Sequence, residues 1–373
     1  YLNDEFCKKY CSSAFKMLQS EYSPEGGNVI LSPLTAFSDA GMLVTGSTDA
    51  INDIIRDLFD RSVGEDQIGV YMHSYGETMK DTDYAKMYFK NAIWFNSDKK
   101  AEPSVDFLTN MKTYYGAAAY RESFGKEAVG NINNWVYNNT NMMVDNLVDS
   151  LPSEAPAYLI NATYLDADWE DPISPENVLN GTFHSNSGAD ESVQMMTTYE
   201  YIYIYNDDVS GFVKYYTGKN YAFVAILPRL SGTNSVANLL SSLSYGDYYR
   251  RLVSKQHERT VDASIPKFSC EYIGDMKPSF NAIRLGELFT PNGADLGKVG
   301  TCDGKMYIGG LRSYVGLSVT EKGTNKGTGA TATNSAVGTA VTTVLLDRPF
   351  VFAVVDTKYY LPIMVGAVNT ING

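Results

Sequence analysis

Residues 321–350 read EKGTNKGTGATATNSAVGTAVTTVLLDRPF, and the interpretation of the whole chain starts from them. From Gly323 to Thr343 nearly every residue is Gly, Ala, Thr, Ser, Asn or Val, and none is proline or aromatic. Such a composition is typical of an exposed loop. It is also rich in Thr and Val, which favour strands, and no proline interrupts the backbone hydrogen-bonding groups. The stretch is therefore predicted to be a loop in one state and a strand in another.

A long linker or a disordered insert is the ordinary interpretation of a run of small polar residues. The residues that follow argue against it here. Residues 350–356 (FVFAVVD) form a short apolar run that is typical of a buried strand. The loop therefore lies inside a folded domain.

The composition of the chain limits its partners. Its 373 residues carry a formal net charge of −13, and 44% of them are hydrophobic, which is sufficient for a large core. The acidic balance argues against nucleic acid or an anionic membrane as a partner, because both require basic surfaces. No apolar run approaches the ~18 residues of a membrane-spanning helix. No Pro-, Gly- or Ser-rich linker divides the chain, so residues 1–373 are interpreted as one domain.

The cysteines and histidines give no sign of a catalytic or metal centre. Cys7 and Cys11 are four residues apart on a predicted helix, which places their Cβ atoms about 5–6 Å apart, beyond the usual disulfide separation. We interpret them as free thiols. His73, His184 and His257 are isolated and lack the spacing of metal ligands. There is no G-x-S-x-G motif and no phosphate-binding glycine-rich loop. We therefore predict that the protein is not an enzyme and has no metal or other cofactor.

Motifs along nearly the whole chain resemble those of the serpin family, in the same order. Besides the EKGT motif at residues 321–324, they are residues 28–35 (NVILSPLT), 85–96 (AKMYFKNAIWFN), 130–140 (GNINNWVYNNT), 158–169 (YLINATYLDADW), 193–196 (VQMM), 221–228 (YAFVAILP), 264–269 (SIPKFS), 289–296 (FTPNGADL) and 348–368 (RPFVFAVVDTKYYLPIMVGAV). The resemblance implies an α+β fold with a large, mostly antiparallel sheet A, two smaller sheets, about eight or nine helices and an exposed reactive-centre loop at about residues 323–346.

The resemblance also implies a function. A serpin offers its reactive-centre loop to a serine protease, which cleaves it and becomes trapped as an acyl-enzyme when the upstream half of the loop inserts into sheet A. We thus expect a monomeric suicide-substrate inhibitor that forms a covalent 1:1 complex. By resemblance, the hinge of the loop is Gly323, Thr324, Asn325, Lys326, Gly327, Thr328 and Gly329; the region called the breach contains Glu321, Lys267 and Trp169; and the shutter contains Asn28, Ser32, Thr35, Asn161 and Ser313. Taken alone, a tryptophan such as Trp169 is more often a plain core residue, and an ordinary helix N-cap before Pro33 explains Ser32 equally well.

The predicted scissile bond joins Val337 and Gly338. Counting forward from the hinge reaches Val337, and counting back from Pro349 reaches Gly338. A primary pocket that accepts valine or alanine is small and apolar, so we expect an elastase-like or subtilisin-like protease, although a loop of this composition can be cut at several bonds. No Lys or Arg lies between Lys326 and Arg348, which disfavours trypsin-like enzymes.

Two further expectations follow from the resemblance. Lys80 is the only Lys or Arg in residues 69–83, so we expect no heparin cofactor. The chain begins at Tyr1 without a leader, as a mature form would after removal of its targeting segment, and we expect an extracellular or cell-surface location.

Two residues depart from the family pattern. Lys326 stands where inhibitory serpins have a small residue, and strand alternation places it on the same face as Thr324 and Thr328, the face that insertion buries. Burying an unpaired lysine is costly, unless its side chain snorkels or a bulge changes its phase. Ser313 stands where many serpins have a histidine. A non-inhibitory serpin that serves in storage, chaperoning or ligand carriage therefore remains the alternative.

Overall fold

The computed structural model describes residues 2–324 and 342–372. In this part of the chain there are nine α-helices. They are α1 (Asp4–Glu21), α2 (Pro33–Val44), α3 (Asp49–Phe59), α4 (Glu65–Thr78), α5 (Val105–Asn110), α6 (Lys126–Asn139), α7 (Ser235–Leu243), α8 (Tyr248–Ser254) and α9 (Lys277–Ala282).

The same residues contain seventeen β-strands. They are β1 (Val29–Leu31), β2 (Ala85–Asn96), β3 (Glu102–Pro103), β4 (Ala118–Glu122), β5 (Ala157–Asp168), β6 (Val178–His184), β7 (Asp190–Tyr205), β8 (Val209–Tyr215), β9 (Tyr221–Pro228), β10 (Gln256–Pro266), β11 (Phe268–Asp275), β12 (Gly300–Thr301), β13 (Ile308–Val319), β14 (Gly323–Thr324), β15 (Thr342–Leu345), β16 (Phe350–Asp356) and β17 (Pro362–Val368).

The helix that follows β1 begins where its capping residues predict. The Ser32 side chain accepts a hydrogen bond from the backbone N–H of Thr35, and Pro33 occupies the first turn, where its missing N–H leaves no bond unmade. Every residue of α2 is buried, because this helix lies in the main core beneath a sheet. Cys7 and Cys11 are buried free thiols on α1, as predicted.

A six-stranded sheet has the order β11-β13-β14-β5-β2-β4 and corresponds to the predicted sheet A. It is mostly antiparallel, but β13 and β5 at its centre and β2 and β4 at one edge pair in parallel. Alternate residues of β5 serve two cores: Leu159 faces the main core, whereas Ile160 packs into a second cluster with Ile132 and Val136 of α6. Helix α6 therefore lies across the outer face of this sheet, as the resemblance implies.

The other large sheet has nine strands in the order β1-β17-β16-β9-β8-β7-β10-β15, with β6 paired to β7. The strand β7 has 16 residues without proline or glycine, so it continues from its pairing with β6 to its pairing with β8. It thereby joins the two predicted smaller sheets into one. A two-stranded ribbon of β3 and β12 completes the α+β fold, whose class and helix number are confirmed.

Candidate functional site: a strand slot in the six-stranded sheet

The two central strands of the six-stranded sheet separate at one end and leave a slot between them. In the first part of each strand, β13 and β5 pair directly in parallel, from Leu311 opposite Leu159 to Gly316 opposite Tyr164. Beyond this point β14 lies between them. Thr324 pairs with Val319 on one side and with Ala167 on the other. The first two predicted hinge residues, Gly323 and Thr324, therefore already form a short strand in this slot.

Residue 323 must be glycine because the slot is narrow. A Cβ atom at this position would lie 2.0 Å from the carbonyl oxygen of Ala167. This oxygen is part of the backbone of the neighbouring strand, so it could move away only if that strand shifted. The turn that leads into the strand is closed by Thr320, whose backbone N–H and hydroxyl donate to the carbonyl oxygen of Gly323 at 2.8 and 3.0 Å. The hinge thus enters the sheet through a tight, hydrogen-bonded turn.

Thr324 is held inside the slot by its side chain. Its hydroxyl is fully buried and lies 2.6 Å from the hydroxyl of Tyr216. Tyr216 in turn stacks on Trp169, with ring centroids 4.5 Å apart and an interplanar angle of 12°. Burial raises the pKa of Tyr216, so its phenol stays neutral and forms an ordinary hydrogen bond with the hydroxyl of Thr324. Residue 324 is therefore fixed by a specific polar contact in an otherwise apolar place.

Trp169 fixes the turn from the opposite strand. Its indole Nε1 donates to the carbonyl oxygen of Thr320 at 2.8 Å, and its backbone N–H donates to that of Lys322 at 2.9 Å. The structure thus places Trp169 beside the hinge, with a role beyond that of an ordinary core residue. Tyr216 was not singled out from the sequence, because no local pattern distinguishes it among 28 tyrosines.

The predicted charged pair of the breach is present. The ammonium nitrogen of Lys267 lies 2.8 Å from a carboxylate oxygen of Glu321, and the two side chains are 22% and 9% exposed. The backbone of Glu321 is also held, since its carbonyl oxygen accepts from the N–H of Ile173 at 2.8 Å. Lys267 is the single residue between β10 and β11, where the chain passes from one large sheet to the other. The pair therefore ties the start of the hinge to the junction of the two sheets.

The closed part of the sheet is centred on one buried amide. The Oδ1 atom of Asn161 accepts hydrogen bonds from the hydroxyls of Thr35, Ser313 and Thr163 at 2.7, 3.1 and 3.2 Å. Its Nδ2 donates to Oδ1 of Asn91 at 2.6 Å. This Asn161 network connects α2, β2, β5 and β13, and all its members are buried. Three of the five predicted shutter residues, Thr35, Asn161 and Ser313, lie in it.

The two other predicted shutter residues lie outside that network. Ser32 is buried beside it but serves as the N-cap of α2. The Oδ1 atom of Asn28 accepts from the backbone N–H groups of Asn369 and Thr370 at 2.7 and 3.1 Å, so this side chain tethers the C-terminal residues. The strand β1 separates Asn28 from Ser32 by about 3.3 Å per residue, which carries the two side chains to different regions.

Two members of the network were missed from the sequence. Thr163 follows Asn161 at the strand spacing that places both on one face, a signal that was available. Asn91 lies on β2, directly opposite Asn161, and its Nδ2 donates to the hydroxyl of Ser38 at 3.1 Å. Its participation depends on the register between β2 and β5, which could not be predicted from the sequence.

The other end of the loop is anchored in the second large sheet. Strand β15 pairs in parallel with β10, from Thr342 opposite Val261 to Leu345 opposite Ser264, and Val344 and Leu346 are buried. The remaining predicted hinge residues, Asn325, Lys326, Gly327, Thr328 and Gly329, lie outside the described residues, as do Val337 and Gly338 of the predicted scissile bond. The two anchors thus belong to different sheets.

Residues 2–324 and 342–372 lack two other kinds of feature, a cluster of metal ligands and a helix able to span a membrane. No group of three or more His, Cys, Asp or Glu side chains there is arranged to hold a metal ion. Within the same ranges, no helix has the length and apolar character needed to cross a membrane.

The start of the loop is thus paired within the six-stranded sheet, and its end is paired within the nine-stranded sheet. The family model described as "Serpin (serine protease inhibitor)" matches residues 6–371. The chain therefore belongs to the serpin family.

The relatives agree with this assignment. Serpin B10 of Otolemur garnettii is 24% identical over 295 residues, which cover 76% of this chain and 72% of the relative. The native-state crystal structure of the thermophilic serpin tengpin superposes with a TM-score of 0.92 at 30% identity, covering 99% of this chain and 95% of that one. The complex of thyroxine-binding globulin with thyroxine has the same fold, with a TM-score of 0.82 at 19% identity over 98% of this chain and 99% of the other.

Proposed function

We propose that the protein inhibits a serine protease by cleavage of its reactive-centre loop, acyl-enzyme trapping and insertion of the loop between β13 and β5. One observation carries the proposal: Gly323 and Thr324 already pair with β5, and Thr324 also pairs with β13. Insertion then extends an existing strand, so the unfavourable first step of bringing a free loop to a sheet has already been made.

The register of β14 defines what an inserted strand would meet. Continuing its antiparallel pairing with β5 and β13 places residue 328 opposite Thr163 and Val315, and residue 330 opposite Asn161 and Ser313. Residue 330 is an alanine, small enough to enter between these two side chains. Insertion to this depth would separate Ser313 from Asn161 and break their hydrogen bond. The Asn161 network is therefore the closure that the loop has to open.

Insertion has a sufficient driving force. An inserted strand that makes on the order of ten backbone hydrogen bonds, each worth about 0.5–1.5 kcal/mol, would release on the order of 10 kcal/mol. This is comparable with the stability of a whole domain. The uncleaved form is therefore expected to be metastable and kinetically trapped.

Lys326 favours the alternative function. If the register of residues 323 and 324 continued, residue 326 would lie opposite Leu165 and Leu317, and both leucines belong to the main hydrophobic core. The buried side chain of Thr324 fixes the phase, so a regular strand would direct Lys326 toward that core. Burial of its charge costs several kcal/mol and would slow insertion. A protein in which deacylation is faster than insertion is cleaved as a substrate, as expected of a non-inhibitory serpin used for storage, chaperoning or ligand carriage.

The target and the setting of the inhibitor are part of the proposal. A loop without Lys or Arg between residues 326 and 348 suits a protease with a small apolar primary pocket, elastase-like or subtilisin-like, that cleaves between Val337 and Gly338. The complex would be covalent and 1:1, formed by a monomer without heparin. An extracellular or cell-surface location also remains a prediction.

The proposal is tested by a short incubation with neutrophil elastase and with subtilisin. Inhibition predicts a denaturant-resistant band at the summed mass, loss of protease activity and a released peptide that begins at Gly338. A cleaved chain with no such band and full protease activity would contradict it. In that case Lys326→Ala separates the two functions, because restored trapping would identify the lysine as the obstacle to insertion.

A further inference from the structure

A second ion pair lies close to the slot and is fully buried. The Nζ of Lys214, on β8, is 2.6 Å from Oε1 of Glu200, on β7, and the two side chains are 1% and 8% exposed. The hydroxyl of Thr198 donates to the same carboxylate oxygen at 3.0 Å. Burial raises the pKa of Glu200 even with this partner. We refer to this pair as the Lys214–Glu200 pair.

Buried ion pairs are poor sources of stability. The desolvation of two charges offsets most of their attraction, and apolar replacements of similar size are often as stable or more stable. A pair in such a place is therefore better explained by what it positions than by the stability it contributes.

Lys214 of this pair contacts residues 169–173 at two points. The ammonium group of Lys214 lies 5.1 Å from the centre of the Trp169 ring, within the range of a cation–π contact. It also donates to the carbonyl oxygen of Asp171 at 2.9 Å. Residues 169–173 form one wall of the slot, since Trp169 binds the turn at Thr320 and Ile173 binds Glu321.

We propose that the Lys214–Glu200 pair positions Trp169 and residues 169–173 and thereby sets how firmly Gly323 and Thr324 are held in the slot before cleavage. The path is short and continuous: Lys214 contacts Trp169, Trp169 stacks on Tyr216, and Tyr216 bonds to Thr324. The inference deepens the proposed function and rests on it for its biological meaning. Both residues act through Trp169, so they are positioning residues.

The test is hydrogen exchange measured by mass spectrometry on the intact protein, without any protease. The informative variant is the double replacement Lys214→Met with Glu200→Leu, which removes both buried charges. Its unfolding midpoint is expected to stay near that of the wild type, because no unpaired charge remains. The amides of residues 317–324 are nevertheless expected to exchange about tenfold faster, equivalent to ~1.4 kcal/mol, whereas those of β16 keep their protection.

Two further variants make the result decisive. Lys9→Met removes a pair with Asp57, at 3.3 Å, on a different side of the fold, and should leave exchange in residues 317–324 unchanged. Glu200→Gln keeps the size of the side chain and should still raise that exchange by about threefold, which is less than the tenfold change expected of the double variant. Wild-type exchange in residues 317–324 of a folded double variant would overturn the inference. If the double variant does not fold, wild-type exchange in Glu200→Gln would do so.

This experiment separates the inference from the proposed function. Faster exchange in the hinge supports positioning whether or not the protein traps a protease. Conversely, a protein that traps elastase but shows no coupling between residue 214 and the hinge would keep the proposed function and lose the inference.

Discussion

The slot and the Asn161 network lie at different points along the boundary between β13 and β5, and they are built differently. At the slot, β13 and β5 are apart and a two-residue strand is held between them by backbone pairing, a glycine without space for a Cβ and a buried threonine hydroxyl. At the network, the same two strands pair directly, and three hydroxyls converge on one amide oxygen.

This difference assigns separate tasks to the two ends. Under the proposed function, the slot would determine whether the hinge is engaged, and the network would determine whether the loop can insert further. Changes at the slot should therefore alter the hinge locally, whereas changes at the network should alter the stability of the whole uncleaved form.

The largest effect is expected from Asn161→Ala. The substitution leaves the hydroxyls of Thr35, Thr163 and Ser313 and the amide of Asn91 without their shared partner in a buried place. Each unsatisfied group costs about 1–3 kcal/mol, so we expect a loss of at least ~3 kcal/mol even if some of the groups find new partners. Denaturant unfolding measures it. The exposed Asn238→Ala serves as the control and should stay within about 0.5 kcal/mol of the wild type. An equal effect of both substitutions would remove the distinction.

Gly323→Ala should have the next largest effect, confined to the slot. The added Cβ meets the carbonyl oxygen of Ala167, so β14 must leave the sheet or force the strands apart, at a cost of about 1–3 kcal/mol. Hydrogen exchange of residues 317–324 should accelerate while that of β16 does not change. The control is Gly130→Ala on α6, where a Cβ has open space and where alanine favours the helix. A protected hinge in Gly323→Ala would show that the slot tolerates a side chain.

Tyr216→Phe tests the side-chain anchor and should have a smaller effect. It removes the hydroxyl that binds Thr324 while keeping the ring stacked on Trp169. A double-mutant cycle with Thr324→Val should give a coupling energy of about 1 kcal/mol, the usual net value of a hydrogen bond. Tyr245→Phe, at an exposed tyrosine, is the matched control and should have no measurable effect. Full additivity of Tyr216→Phe and Thr324→Val would mean that the bond contributes nothing.

The smallest effect is expected at the downstream anchor, where the pH dependence of His184 can be tested. Its Nδ1 lies 2.7 Å from Asp190 and its Nε2 lies 4.0 Å from Asp347, which is two residues beyond the end of β15. The hydrogen bond to Asp190 and the two carboxylates raise the pKa of this exposed histidine. Its contribution to stability is therefore complete below its ordinary pKa of about 6.5 and is lost as the pH rises through the raised value.

Exchange of residues 342–346 should accordingly increase as the pH rises through the raised pKa of His184, after correction for the intrinsic rate. His184→Asn should abolish this increase, whereas the exposed His73→Asn should keep it. A pH dependence that survives His184→Asn would assign it to another group.

Local patterns predicted much of the fold and part of the site. A serine followed by proline before an apolar run favours the start of a helix, as at Ser32 and Pro33. The alternation in residues 158–169 indicates a strand with two packed faces. The Lys267–Glu321 contact and the position of Trp169 followed from the family resemblance, because motifs in a common order imply a common fold.

Contacts that depend on strand register were not predicted. Tyr216 reaches Thr324 across 108 positions of sequence, and Asn91 reaches Asn161 across 70. The Lys214–Glu200 pair joins two antiparallel strands whose relative offset is set by packing. Asn28 was assigned to the shutter by the family resemblance, and its contact with the backbone of Asn369 across the sequence was not predicted.

The most direct test of the central claim is the thermal unfolding of the protein before and after a single cleavage within residues 325–341. If the cleaved loop inserts between β13 and β5, the release of ~10 kcal/mol should raise the unfolding midpoint by at least about 10 °C. The Ser313–Asn161 contact should be broken in a structure of the cleaved form. An unchanged or lowered midpoint, with that contact intact, would contradict insertion as the mechanism.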